Sequence, residues 1–220
     1  MDTYSVTLTF MEPVLGTVPK NKELYDDYIL AKAEREGIDL SDDEKEQELS
    51  TVKELADKGW TGFHMLDDGT PAIYDYAIRG FLKSAAYAMR KVPGSVSHGI
   101  RAYKKIIDTM VFVYPRLIPL VLPDGGEMGV LERPLRAQTA QGERVALAIS
   151  DTCPVGTTMT FTVEVLAVAT EAWLHELFSY GKRVGLGQWR SGSWGRVSYE
   201  MQRIKPVPSD SVACLSRALA

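Results

Sequence analysis

Cysteine is scarce in this chain: Cys153 and Cys214 are the two present, far apart, with no metal-type spacing around either. A disulfide framework is therefore not expected, a reduced cytoplasmic setting is, and no metal or cofactor is implied. Apolar residues never run on for about eighteen positions, which excludes a membrane-spanning helix from the reading. The opening MDTYSVTLTF has an early acid and no basic flank, so it does not read as a secretory signal. No Gly-Lys-Ser/Thr triplet occurs, which removes a Walker-type phosphate loop, and no Ser/His/Asp or Cys/His set has supporting context. Net positive charge is missing too, with 25 Lys and Arg against 29 Asp and Glu, a net of -4.

That balance argues against a nucleic-acid partner until its distribution is followed along the chain. Residues 20–58 hold 13 acids and 7 bases, a net of -6, so everything else carries +2. From Arg79 to Lys105 there are seven bases and no acid. A second basic region begins at Lys182 and runs to Lys205. The acidity is thus local, and two basic regions remain on the body of the protein.

The order of patterns points to an α+β domain. YSVTLTF alternates Tyr4, Val6, Leu8 and Phe10 against Ser5, Thr7 and Thr9, predicting a half-buried strand that stops at Pro13 and Gly16. Residues 21–58 read as charged helices, the first ending at Gly37 and the second starting at the N-cap Ser41, in an acidic helical insertion spanning about 20–70. AIYDYAI reads as a short strand and FLKSAAYAMRKV as the first helix of the body. MVFVYP, LIPLVL and TMTFTVEVL read as strands, TEAWLHELFSYGKR as a helix capped by Thr170, and RVSYEMQRI as the last strand. The expected fold is a single ferredoxin-like (RRM-like) domain over residues 1–205, with an antiparallel sheet and helices on one face. Residues 206–220 form a Pro/Ser-rich tail without an assigned role.

GKRVGLGQWRSGSWGRV, residues 181–197, holds five glycines, two tryptophans and four cations. A dinucleotide GxGxxG needs a strand before and a helix after, and here the order is reversed, with Arg190 in the place of the third glycine. A structural turn remains open. So does a loop for a phosphodiester backbone, in which glycine amides form a concave cluster of donors. Lys182, Arg183, Arg190 and Arg196 would supply countercharge, and Trp189 and Trp194 faces for base stacking.

Three stretches in order, AIRGFLKSAAYAMRK, SDTCPVGTTMTFTVEVL and YGKRVGLGQWRSGSWGRV, resemble the RAMP superfamily (repeat-associated mysterious proteins), in particular the backbone subunits of CRISPR effector complexes. YSVTLTFMEPVLGT fits the family's first strand. The resemblance covers nearly the whole chain apart from about 20–70. It implies RNA-binding subunits packed side by side along a guide, holding its backbone through the first helix and the Gly-rich loop. By position it points to Arg79, Gly80, Lys83, Arg183, Gly185, Gly187, Arg190, Gly192 and Gly195. Two features depart from the family pattern: the insertion is acidic, and Trp189 and Trp194 make the loop bulkier.

No catalytic residue is assigned. Of His64, His98 and His175, only His98, near Tyr103, Lys104 and Lys105, has general acid/base company, and a loop histidine is more commonly a solvated surface group. Arg133, Arg136, Gln138, Gln141 and Arg144 form a donor-rich stretch. It reads equally as an exposed loop or as a hairpin that touches the ligand or a neighbouring subunit. The reading is non-catalytic binding of single-stranded RNA or DNA, RNA favoured, by a self-associating protein. The alternative is an assembly or inhibitor protein that keeps the fold and docks a basic protein partner on residues 20–58, and a third reading is an endoribonuclease that relies on His98.

Overall fold

Fifteen helices and strands follow one another in the computed structural model, which describes residues 2–20, 60–139, 142–166 and 170–204. The first six are strands: β1 (Asp2–Phe10), β2 (Val14–Leu15), β3 (Val18–Pro19), β4 (Trp60–Gly62), β5 (His64–Met65) and β6 (Pro71–Tyr74). Helices α1 (Asp75–Met89) and α2 (Tyr103–Met110) precede β7 (Val111–Tyr114) and β8 (Leu117–Pro119). Then come β9 (Gly129–Thr139), β10 (Gly142–Cys153), β11 (Thr158–Val165), α3 (Glu171–Ser179) and β12 (Val197–Ile204).

The alternation of β1 sets the main sheet. Tyr4, Val6, Leu8 and Phe10 are buried, while Ser5, Thr7 and Thr9 lie on the other face. β1 pairs antiparallel with β11 from Asp2↔Val165 to Thr9↔Thr158, and with β12 from Thr3↔Ile204 to Phe10↔Val197. β7 pairs with β11 on its far side, giving the order β12-β1-β11-β7. β1 and β7 therefore run the same way with β11 between them, and α1 lies on that crossover. β11 and β12 likewise run the same way around β1, with α3 on theirs.

One face of this sheet makes the core. α1 contributes Ile78, Phe81, Leu82, Ala85 and Ala86, and α3 contributes Trp173, Leu174, Leu177 and Phe178. Phe178 sits between Phe81 and Phe161, with ring centroids 6.4 and 6.2 Å away. Thr170 caps α3 as expected, its Oγ1 accepting from the Trp173 amide at 3.2 Å. The connection after α1 is tied to α3 by Glu176, whose carboxylate accepts from the amides of Val96 and Ser97 at 2.6 and 2.9 Å. The indole N–H of Trp173 donates to Ser97 Oγ at 2.9 Å, so each buried polar group there has a partner.

One local reading is corrected, one segment gains an element, and of the two readings for the donor-rich stretch the hairpin is the one found. Helix α1 starts at Asp75, so AIYDYAI is a strand only through Tyr74, and Arg79 and Gly80 lie inside the helix. The reason is period: Ile78, Phe81, Leu82 and Ala85 share a helical stripe, which outweighs the shorter alternation before it. YKKIIDTM, given no element from sequence, is α2, which buries Tyr103 and Ile107. The donor-rich stretch around Arg133 is a hairpin strand, since β9 pairs with β10 from Gly129↔Thr152 to Thr139↔Gly142. The caps expected at Gly37 and Ser41, most of the insertion and the tail lie outside the described residues.

Candidate nucleic-acid interface

The Gly-rich loop leaves α3 through a short 3-10 turn, Tyr180–Lys182, and closes on itself before β12. Its two ends cross at Gly185 and Gly195. A Cβ on Gly185 would stand 2.0 Å from the Gly195 carbonyl, and one on Gly195 would stand 2.0 Å from the Leu186 oxygen. Leu186 donates its amide to the Gly195 carbonyl at 2.9 Å, and its side chain is buried. These glycines serve contact between two chain segments. The expected cradle of amide donors is correspondingly reduced, because Gly195 N–H donates to Pro13 O and Gly192 N–H to Trp189 O. Gly187 (φ +84°) lies against β2, where a Cβ would be 2.6 Å from Leu15 O.

The tryptophans face protein groups. Trp189, in the left-handed region at φ 52°, stacks on Trp194 with centroids 5.9 Å apart and planes 16° apart. The Arg133 guanidinium lies 4.7 Å from the Trp189 centroid. Gln188 joins the two elements: its Oε1 accepts from Arg133 Nη2 at 3.1 Å, Ser150 Oγ at 3.0 Å and Thr61 Oγ1 at 3.2 Å. Arg133 thus braces the hairpin against the loop, and burial lowers its pKa. No sequence signal marks Gln188 beyond its place between Gly187 and Trp189.

The predicted cations divide into two groups. Arg79 pairs with Asp75 at 3.0 Å, Lys83 with Asp108, and Arg196 with Glu12. Lys182, Arg183 and Arg190 are exposed and have no acid partner among the described residues. Gly80 is exposed in mid-helix, and beyond its own helix backbone and chain neighbours no described residue comes within 4 Å of where a Cβ would sit. Further along the hairpin, Arg136, Gln138 and Arg144 stand opposite Val145, Glu143 and Ala137 in register. Gln141 lies outside the described residues.

The loop and the first turn of α1 meet at a cleft lined by Leu15, Val18, Tyr74, Tyr76, Ala77 and Gly187. Three segments far apart in the sequence, the end of the first strand, the first turn of α1 and the glycine loop, therefore converge. His98 lies elsewhere, in a 3-10 turn (Val96–Gly99), where its Nδ1–H donates to Arg90 O at 3.0 Å. His175, without a nameable partner in sequence, shares a 3.0 Å hydrogen bond with the Tyr199 hydroxyl.

Asp151 is a residue whose place sequence reasoning missed. Its carboxylate, 5% exposed, accepts from Lys20 Nζ and from Trp60 Nε1, both at 2.9 Å. Lys20 and Trp60 are the residues on either side of 21–59, so one carboxylate ties both ends of that segment. Burial and then the Asp151 charge push the neighbouring Cys153 thiol up to about 12, which keeps it protonated.

No protein family matches the chain, and no curated protein does. Among solved structures, a chain of the "Type III-B Cmr-beta bound to cognate target RNA" is similar, with TM-score 0.56 and 13% identity over 93% of this chain. The match covers 61% of that neighbour, so this chain spans about three-fifths of its length. A chain of a "Type IV-B CRISPR Complex" matches at TM-score 0.43 and 10% identity, covering 94% of each. The first of these shows a shared α+β fold. Among the described residues no helix is long and apolar enough to cross a membrane.

Proposed function

We propose that this chain is a RAMP-type, ferredoxin-like subunit that holds single-stranded nucleic acid, RNA in preference to DNA, by its phosphate backbone without cutting it. Copies pack side by side along the strand. The sheet order β12-β1-β11-β7, with one helix on each of two crossovers, supports the ferredoxin-like plan. The RNA-bound state named for the Cmr-beta neighbour supports the choice of ligand.

The observation that carries the reading is the combination of three cations without acid partners among the described residues, Lys182, Arg183 and Arg190, on a loop pinned by its own glycines. Such a loop presents charge to a strand with little ordering cost, because its backbone is already fixed. Gly80 offers a helix surface where a phosphate approaches without meeting a side chain of its own. Arg136, Gln138 and Arg144 on the hairpin, together with Gln141 outside the described residues, are assigned to contact with ligand or with the next copy.

The test is fluorescence anisotropy with labelled single-stranded RNA and DNA over a salt series, on wild type and on Lys182→Glu/Arg183→Glu/Arg190→Glu. Arg196 is left alone because reversing it would set two carboxylates together at Glu12. Each lost phosphate contact removes about 0.7 from the salt slope for a single strand. The triple variant is expected to flatten the slope by about 2 and bind at least roughly 10-fold more weakly near 0.1 M salt. Equal binding by the variant would move the site off the loop. No binding by wild type at low salt would overturn the reading and leave residues 20–58 as the place to seek a basic protein partner.

A further inference from the structure

The cleft beside Gly187 has an aromatic wall that backbone binding does not use. Tyr74 is the last residue of β6 and Tyr76 lies in the first turn of α1; their rings stack with centroids 5.3 Å apart and planes 17° apart. His64 on β5 meets Tyr74 edge-on at 4.4 Å, in a pairing where His64 stands opposite Ala72. Arg116 adds its guanidinium 5.8 Å from the Tyr74 centroid. It is held there by backbone: Arg116 O accepts the Asp75 amide at 2.8 Å, and β6 pairs with β8 through Tyr74↔Leu117.

Tyr76, 59% exposed, is the most open tyrosine among the described residues. A flat, partly exposed ring on a rigid helix start, stacked on a Tyr74 ring that carries the Arg116 guanidinium and sharing a cleft with Gly187 of the loop assigned to phosphate, is the equipment for stacking a nucleobase. Trp189 on the loop is less open, 43% exposed against 59% for Tyr76, and lies between Trp194 and Arg133.

We infer that Tyr76, backed by Tyr74, His64 and Arg116, is a base-stacking subsite for one nucleotide of the strand whose backbone lies on the Gly-rich loop. The inference rests on the proposed nucleic-acid reading and adds a second kind of contact to it. Base stacking is indifferent to sequence, since every base has a π-face, so the subsite would hold a nucleotide without selecting it.

The test compares wild type, Tyr76→Ala and Tyr76→Phe on oligo(U) RNA and on an abasic strand of equal length, over a salt series. Tyr76→Ala is expected to lower oligo(U) affinity roughly 5-fold or more with an unchanged salt slope. Tyr76→Phe is expected to retain wild-type affinity, and the abasic strand to bind all three proteins alike. The unchanged slope separates this from loss of the loop cations, which flattens it. If Tyr76→Ala misfolds, Arg116→Ala takes its place, with a smaller loss on oligo(U) and none on the abasic strand. Equal affinity of wild type and Tyr76→Ala for oligo(U), with salt-sensitive binding kept, would overturn the subsite alone. Binding by neither strand to wild type would overturn the nucleic-acid reading and this inference with it.

Discussion

Alanine at Gly195 is expected to lower the melting temperature by roughly 10 °C, and alanine at Gly80 to raise it by about 3 °C. The two glycines sit in elements tied to the same site, and their surroundings are opposite. Gly195 has φ +66°, where an L-residue costs roughly 1–2 kcal/mol. Its new Cβ would also stand 2.0 Å from the Leu186 oxygen. That oxygen cannot retreat freely, because the Leu186 amide is bonded to Gly195 O and its side chain is in the core. Overpacking of this kind adds about 1–3 kcal/mol, for a total near 4 kcal/mol. At roughly 2–4 °C per kcal/mol for a domain of this size, the shift is about 10 °C. Gly80 meets nothing within 4 Å and lies in a helix interior, so alanine recovers about 1 kcal/mol of helix propensity. Thermal unfolding of the two variants checks both signs. A Gly195→Ala protein melting with wild type would refute the crossing at Gly185 and Gly195. Anisotropy on Gly80→Ala adds a functional reading: a more stable protein with weaker RNA binding marks Gly80 as a place where the backbone of the ligand lies close.

The contrast also explains what was legible in the sequence. The strand at Tyr4–Phe10, the alternating strand at Thr158–Val165 and the capped helix at Thr170 all announce themselves, because period and cap chemistry are local. Glycine is different. Spacing reveals that five glycines crowd residues 181–197, but whether each faces a phosphate or another peptide depends on segments far away, such as Pro13 and Leu15. The same holds for charge. Lys83 and Arg196 read as free cations until Asp108 and Glu12 arrive beside them through the fold. Tyr74 and Tyr76 were hidden inside a plausible strand pattern, since an alternating AIYDYAI conceals a helix start at Asp75. Gln188 and Asp151 work as hubs across chain separations that no local motif encodes.

Asp151→Ala is expected to destabilise the protein by about 3 kcal/mol, through loss of the charged hydrogen bonds from Lys20 and Trp60. The carboxylate is enclosed, and Gly62 is what admits it: a Cβ there would lie 2.7 Å from Asp151 Oδ2. Trp60 would lose the acceptor of its indole N–H, and Lys20, which also lies 4.6 Å from the Trp60 ring, would lose its counter-ion. The two partners contribute unequally. Lys20 is about half exposed, so water takes over when the pair breaks, and Lys20→Ala should cost only about 0.5–1 kcal/mol. Trp60→Phe removes the donor and leaves the carboxylate on Lys20, an intermediate loss of about 1–2 kcal/mol. Asp151→Asn, which keeps an acceptor for the indole but no charge, should fall between Lys20→Ala and Asp151→Ala. Denaturant midpoints at constant m-value give the order, and a double-mutant cycle of Lys20 with Asp151 gives the coupling. Equal midpoints for wild type and Asp151→Ala would refute the clamp. A clamp that holds, combined with unchanged RNA affinity in Asp151→Asn, would separate the Lys20–Asp151–Trp60 clamp from the proposed nucleic-acid surface on the loop.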